Sequence, residues 1–244
     1  MTKLNACKIL LKFSWILLFA ACSSTSMPNK NASPPATRIL DLESAQTLVK
    51  SERFDSASQL GAMRPTANQE IESIKFELLD PTGEHLNNSV MHFAKLPNNL
   101  EFAYHSFPAT KDMAELNQSF IHVFGLASVL NWSSRFPEHE LPSPDQVQLI
   151  SGKLFSISSK FTIEQRLSEK DIFTTECVPQ DLFPASKINA LLTGNATVFV
   201  CKTPIINNVT SYWYIENSAR YVISEIWDDG ELQSKFKIVD LTLR

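Results

Sequence analysis

The histidines are the first place to look for a metal centre or a general base, and there are five: His85, His92, His105, His122 and His139. They form no H-E-x-x-H and no close cluster with Asp, so no predefined zinc site and no cofactor is expected. His92 and His105 fall on neighbouring expected strands and could meet across the sheet, although ordinary, partly exposed histidines are the plainer expectation. No G-x-S-x-G elbow presents a serine nucleophile. Ser234 and Lys237 carry the S-x-x-K spacing, which puts both side chains on one face of a helix. Here it falls in an expected strand, which sends them to opposite faces, so chance accounts for it. The acidic run Asp228-Asp229-Gly230-Glu231 lacks the alternating ligands of a calcium loop and is expected to be a hairpin turn. No residue is assigned a catalytic or metal-binding role.

The aromatic run Tyr212-Trp213-Tyr214, with Tyr221 and Trp227 on the adjoining expected strand, is the best candidate for a binding surface. Exposed aromatics anchor partners or stack on sugars. The alternative is cross-strand packing into the core with one decorated face. Strand alternation puts Tyr212 and Tyr214 on one side, Trp213 and Ile215 on the other.

Six glycines against thirteen prolines leave little backbone suited to cradling phosphate, and no G-x-G-x-x-G or G-x-x-x-x-G-K occurs.

The amino terminus has the tripartite form of an export signal. Lys3 and Lys8 precede an apolar run from Ile9 to Ala21, interrupted by Lys12 and Ser14, and small residues lead into Cys22. The uninterrupted apolar part is short of the roughly 20 residues a spanning helix needs. Leu18-Phe19-Ala20-Ala21-Cys22 resembles the lipobox of bacterial lipoproteins, with Phe19 where that family usually has Leu. The resemblance covers about 22 residues and leaves the mature domain unassigned. It implies removal of residues 1–21, acylation of Cys22 (palmitate among the chains) and partnership with a lipid bilayer. Ser23 and Ser24, with no Asp after the cysteine, imply the outer membrane, facing the periplasm, in a Gram-negative host. The alternative is cleavage a residue or two later, releasing a soluble product. Multiple acyl chains hold a protein firmly, each buried methylene contributing about 0.8 kcal/mol.

Removing residues 1–21 takes three lysines and no acid from 22 basic and 26 acidic residues, leaving a net charge of −7. An acidic chain without a basic block is a poor partner for nucleic acid. With Cys7 lost and Cys22 lipidated, Cys177 and Cys201 remain, and in an exported chain that pair is expected to be a disulfide. Neither C-x-x-C spacing nor a nearby histidine suggests a redox or metal role for them.

Residues 22–37, rich in Ser, Asn, Pro and Ala, are expected to be the lipidated cysteine and a disordered tether. Residues 38–244 are expected to form one α+β domain, a mostly antiparallel sheet of about eight or nine strands backed by two or three helices, with a subdomain joint at 136–145. Helices are expected over 41–60, capped by Asp41, over 111–134, where apolar residues recur at three- and four-residue steps, and briefly near 185–192. Strands are expected near 71–79, 89–96, 100–107, 146–158, 161–167, 171–178, 196–203, 209–215, 220–227 and 234–243.

The expected function is a non-enzymatic envelope lipoprotein that binds another envelope protein or peptidoglycan. The alternatives are a cell-wall or surface-polymer hydrolase with a motif-free active site, and a lipid carrier with an apolar cavity.

Overall fold

The computed structural model describes residues 40–109, 115–133, 146–168, 170–204 and 207–244. Export signal, lipobox, tether, His139 and the expected joint at 136–145 lie outside the described residues.

Two short α-helices begin the domain: α1 (Leu42–Leu48) and α2 (Asp55–Ala62). Asp41 caps α1, accepting the Ser44 N–H at 2.7 Å. Twelve strands follow: β1 (Ile71–Leu79), β2 (His85–Lys95), β3 (Glu101–Phe107), β4 (Leu116–Val123), β5 (Ala127–Ser133), β6 (Gln146–Gly152), β7 (Phe161–Arg166), β8 (Ile172–Pro184), β9 (Asn195–Thr203), β10 (Asn208–Ile215), β11 (Arg220–Asp228) and β12 (Glu231–Leu243). All belong to one antiparallel sheet, in the order β5-β4-β3-β2-β1-β12-β11-β10-β9-β8-β7-β6. Neighbours in the chain are neighbours in the sheet, except that β1 pairs with β12 and that β5 and β6 stand at its two edges. The edges β5 and β6 approach each other, so the sheet is barrel-like and nearly closed.

This corrects the expectation of an α+β fold with eight or nine strands backed by helices. The largest error is the helix over 111–134, whose described part is the β4–β5 hairpin. Phe124 and Gly125 both have positive φ, 44° and 82°, and the Leu126 N–H donates to the Val123 carbonyl at 3.0 Å. Two consecutive positive φ values make the tight mirror-image turn that joins twisted strands and are incompatible with a helix. The helical apolar spacing arises because β4 is buried on both faces, Ile121 and Val123 on one and His122 on the other. The helix over 41–60 is broken, with a 3₁₀ turn at Glu52–Phe54 between α1 and α2, and near 185–192 only a 3₁₀ turn at Ala185–Lys187 forms.

The sheet has two interiors. On one face, Ile74, Phe76 and Leu78 of β1 pack with Phe236, Ile238 and Leu241 of β12 and Val222 and Ile226 of β11. On the other, Phe102, Ile121, Phe161, Phe199, Tyr214 and Tyr221 form one core with Phe54 and with Ala57 and Leu60 of α2. β3 and β11 alternate between the two, Ala103 and Val222 facing the first and Phe102 and Tyr221 the second. On the β1–β12 pair, the side opposite the first interior is the outer surface, where Lys237 bonds Glu77 at 2.8 Å.

Candidate functional site

The expected aromatic surface divides between the faces. Tyr214 and Tyr221 are 1% exposed, their rings 4.8 Å apart in the second interior. Tyr212, half-buried, meets Tyr221 edge to face at 6.3 Å. Burial pushes the Tyr212 hydroxyl up to about 12 and raises those of Tyr214 and Tyr221 as well. Trp213, also half-buried, points the other way between Val198 and Val222 of the flanking strands. Trp227 is half-buried and donates its indole N–H to Glu225 at 3.2 Å.

His92 and His105 do not meet. His92 lies opposite Tyr104 on the outer side of β2, while His105 lies opposite Met91 and is buried. Ser234 is buried and Lys237 exposed, as strand alternation requires. Asp229 of the acidic turn accepts from the Asn207 amide at 2.7 Å. Among the described residues, no three His, Cys, Asp or Glu side chains are grouped so as to hold a metal.

Cys177 and Cys201 are joined as a disulfide, S–S 2.03 Å, directly opposite one another on β8 and β9. Both are buried in the second core.

Local spacing gives no hint of the most unusual polar group in the domain. Glu101 opens β3 and Arg220 opens β11, and β2, β1 and β12 lie between those strands in the sheet. Yet Arg220 grips Glu101 with both terminal nitrogens, Nη1 donating to Oε2 at 2.7 Å and Nη2 contacting Oε1. The five strands β3-β2-β1-β12-β11 therefore curl until the ends of the outer two touch. The Phe93 ring lies 3.9 Å from the Arg220 guanidinium, a favourable cation–π placement. Alongside, the β4–β5 turn docks on β11, Phe124 C=O accepting the Tyr221 N–H at 3.0 Å. That N–H is accessible because β11 pairs with β12 only over 225–228.

His122 completes the cluster. Its Nδ1 accepts the Gly125 N–H at 2.8 Å and lies 3.5 Å from Glu101 Oε2. A nitrogen that accepts a backbone N–H carries no proton, so the imidazole is neutral with its hydrogen on Nε2. Burial, helped by the neighbouring Arg220 charge, lowers the His122 pKa to about 3. Burial lifts the Glu101 carboxyl above its ordinary range, against the pull of Arg220.

A second arginine extends the network. Arg64 donates to the Ser218 and Ala219 carbonyls at 2.7 and 3.1 Å, bridges to Glu70 at 3.1 Å, and sits 3.9 Å from the Phe124 ring centroid. Lys95 reaches Glu70 at 2.7 Å. Burial acts to raise the Glu70 carboxyl, but the hydrogen bonds from Arg64 and Lys95 hold it below the ordinary carboxylate range.

Both carboxylates are thus held by cations, and His122 has its free lone pair occupied. Such a cluster is suited to fixing strands in place and poorly suited to moving protons. A shallow open groove of about 340 Å³ between α2 and the β2–β3 turn is lined by Asp55, Ser58, Gln59, Ala62, Asn98 and Asn99. Asp55 is its one titratable group. No helix of the described residues is long and apolar enough to cross a membrane, which says nothing of crossing by strands.

Compared with protein-family models, curated proteins and solved structures, the chain matches none.

Proposed function

We propose that this chain is a lipid-anchored envelope protein whose β domain binds another envelope component rather than catalysing a reaction. The observation that carries the location is the buried disulfide between Cys177 and Cys201. Such bonds form and persist in oxidising compartments such as the periplasm and are rare in a reducing cytosol. The lipobox-like Leu18–Cys22 segment supports the same address and adds attachment through Cys22 to the outer membrane, facing the periplasm.

The binding role is supported by the state of the ionisable groups. Glu101 and Glu70, the carboxylates nearest the interior, are committed to Arg220, Arg64 and Lys95. A hydrolase needs carboxylates free to exchange protons. Against a lipid carrier, the second interior is taken up by α2, Phe54 and the aromatic side chains of β7, β9, β10 and β11.

Metabolic labelling with a clickable fatty acid tests the anchor. Label on the wild-type protein and none on Cys22→Ala is expected, and equal labelling would refute the proposal. For the partner, co-sedimentation of the purified domain with sacculi separates peptidoglycan, which carries it down, from an envelope protein, which leaves it in the supernatant.

A further inference from the structure

The first interior carries polar side chains where strand alternation leads one to expect apolar ones. Asn87 and Ser89 of β2, His105 of β3 and Ser234 of β12 point inward and are 5%, 1%, 6% and 0% exposed. They gather around three aromatic rings, Phe76, Phe107 and Phe236. Ser89 lies opposite Phe76, Asn87 opposite Leu78, and Leu78 opposite Phe236, two residues on from Ser234. His105 lies opposite Met91, two places along from Ser89 on the same face. Its ring is 6.4 Å from Phe76 and 4.1 Å from Phe107, and Phe76 is 5.8 Å from Phe236.

Four buried atoms of this set, Asn87 Nδ2, Ser89 Oγ, His105 Nε2 and Ser234 Oγ, find no hydrogen-bond partner among the described residues. The Asn87 amide orientation is set, because its Oδ1 accepts the Asn88 N–H at 2.8 Å, leaving Nδ2 as the free donor. A buried polar atom without a partner costs about 1–3 kcal/mol, and natural interiors rarely contain several together. Each of the four can donate to an oxygen acceptor. Burial alone holds His105 neutral, lowering its pKa to about 3, and the charges of Arg220 and Glu101 already match each other. A charged guest would meet no free counter-charge, at prohibitive desolvation cost.

We infer that the first interior is a binding site for a small, uncharged hydrogen-bonding guest with an oxygen acceptor, held by Asn87, Ser89, His105 and Ser234 between the Phe76, Phe107 and Phe236 rings. Water and a small neutral solute share this chemistry. The site is independent of the membrane anchor and of what the outer surface binds.

Ser89→Ala and Ser234→Ala separate an occupied interior from a dry one by sign. Where each hydroxyl bonds a guest, its removal lowers Tm by about 2–4 °C. Where the hydroxyls are buried and unpaired, removal leaves Tm unchanged or raises it. On the wild-type domain, two NMR measurements identify the guest. A saturable shift at His105 Nε2 on titration with acetamide, weakened at least fivefold by Ser234→Ala, makes it a solute from solution. Long-lived water cross-peaks to His105 and Ser89, without an acetamide response, make it water. Either result sustains the inference. Neither signal, or no loss of Tm in both variants, overturns it.

Discussion

Among the described residues, Arg220 is the largest fully buried side chain. A charge in that position is tolerable only with its partner in place. Arg220→Met leaves Glu101 buried and unpaired and is expected to lower unfolding stability by about 3–5 kcal/mol, read from a urea midpoint. Replacing both, as Arg220→Met with Glu101→Leu, is expected to recover most of the loss, since apolar isosteres dispense with the desolvation cost. If the double variant is no better than the single, the pair is not the unit argued above.

Acid reaches the same region through the histidines. His105 and His122 are held near 3 in the folded chain by burial, against about 6.5 when unfolded. Above about 6.5 both states are neutral and these groups leave stability independent of pH. Below it the unfolded chain takes up protons that the folded chain refuses, so stability falls with pH down to about 3. The loss approaches 1 to 1.5 kcal/mol per pH unit for each histidine, roughly 5 kcal/mol for both by pH 4.5. His122→Gln is expected to halve the slope between pH 6 and 4.5. An unchanged slope means that His122 is protonated in the folded state.

At the scale of elements, two hairpin turns with the same backbone signature differ in what surrounds them. Gly125 in the β4–β5 turn and Gly230 in the β11–β12 turn have φ of 82° and 78°. A Cβ at Gly125 would lie 1.9 Å from the Tyr221 carbonyl oxygen, whereas one at Gly230 meets nothing within 4 Å. Gly230→Ala is therefore expected to lose about 1 kcal/mol, the conformational term alone. Gly125→Ala must in addition push the turn off β11, and an expected loss of more than about 2 kcal/mol follows. Equal midpoints for the two would show that the turn does not bear on β11.

The same pair explains what the amino-acid sequence discloses. Asp229-Gly230 is the favoured hairpin dipeptide, and the strands on either side of it stand close to where alternation places them, as do those ending at Leu79 and Ile215. Phe124-Gly125 carries no such signal, because phenylalanine is an unusual residue at φ 44°. There the strand is buried on both faces, alternation disappears, and apolar residues at three- and four-residue steps imitate a helix. The Cys177–Cys201 bridge follows from counting the cysteines left once the expected export signal and Cys22 are set aside. The Glu101–Arg220 contact does not, since it depends on the curl of five strands that no local spacing records. Nor do the inward polar residues announce themselves. Ser234 is visible in the sequence only as part of a chance S-x-x-K, and its setting comes from the register of β12 against β1 and β11.

At the scale of the molecule, the disulfide closes a loop of 24 residues by separation and ties strands already paired. Reduction is expected to lower stability by about 3 kcal/mol without dissolving the sheet, checked by thermal melts with and without reductant. The β1–β12 pairing has a greater effect. It joins Ile71 to Leu243 across nearly the whole described domain, and contacts of such separation slow folding to the millisecond-to-second range.

That pairing also decides when β1 gains its second neighbour. A chain emerging from a ribosome or an export channel can form the meander from β2 to β5 as it appears, but β1 waits for the last strand to be delivered. Until then one flank of β1 offers unpaired amides and carbonyls to any strand that passes. A copy cut before Glu231, and so without β12, would carry that open flank permanently. Loss of β12 is thus expected to leave β1 as an open edge prone to aggregation, checked by the sedimentation of a copy truncated before Glu231.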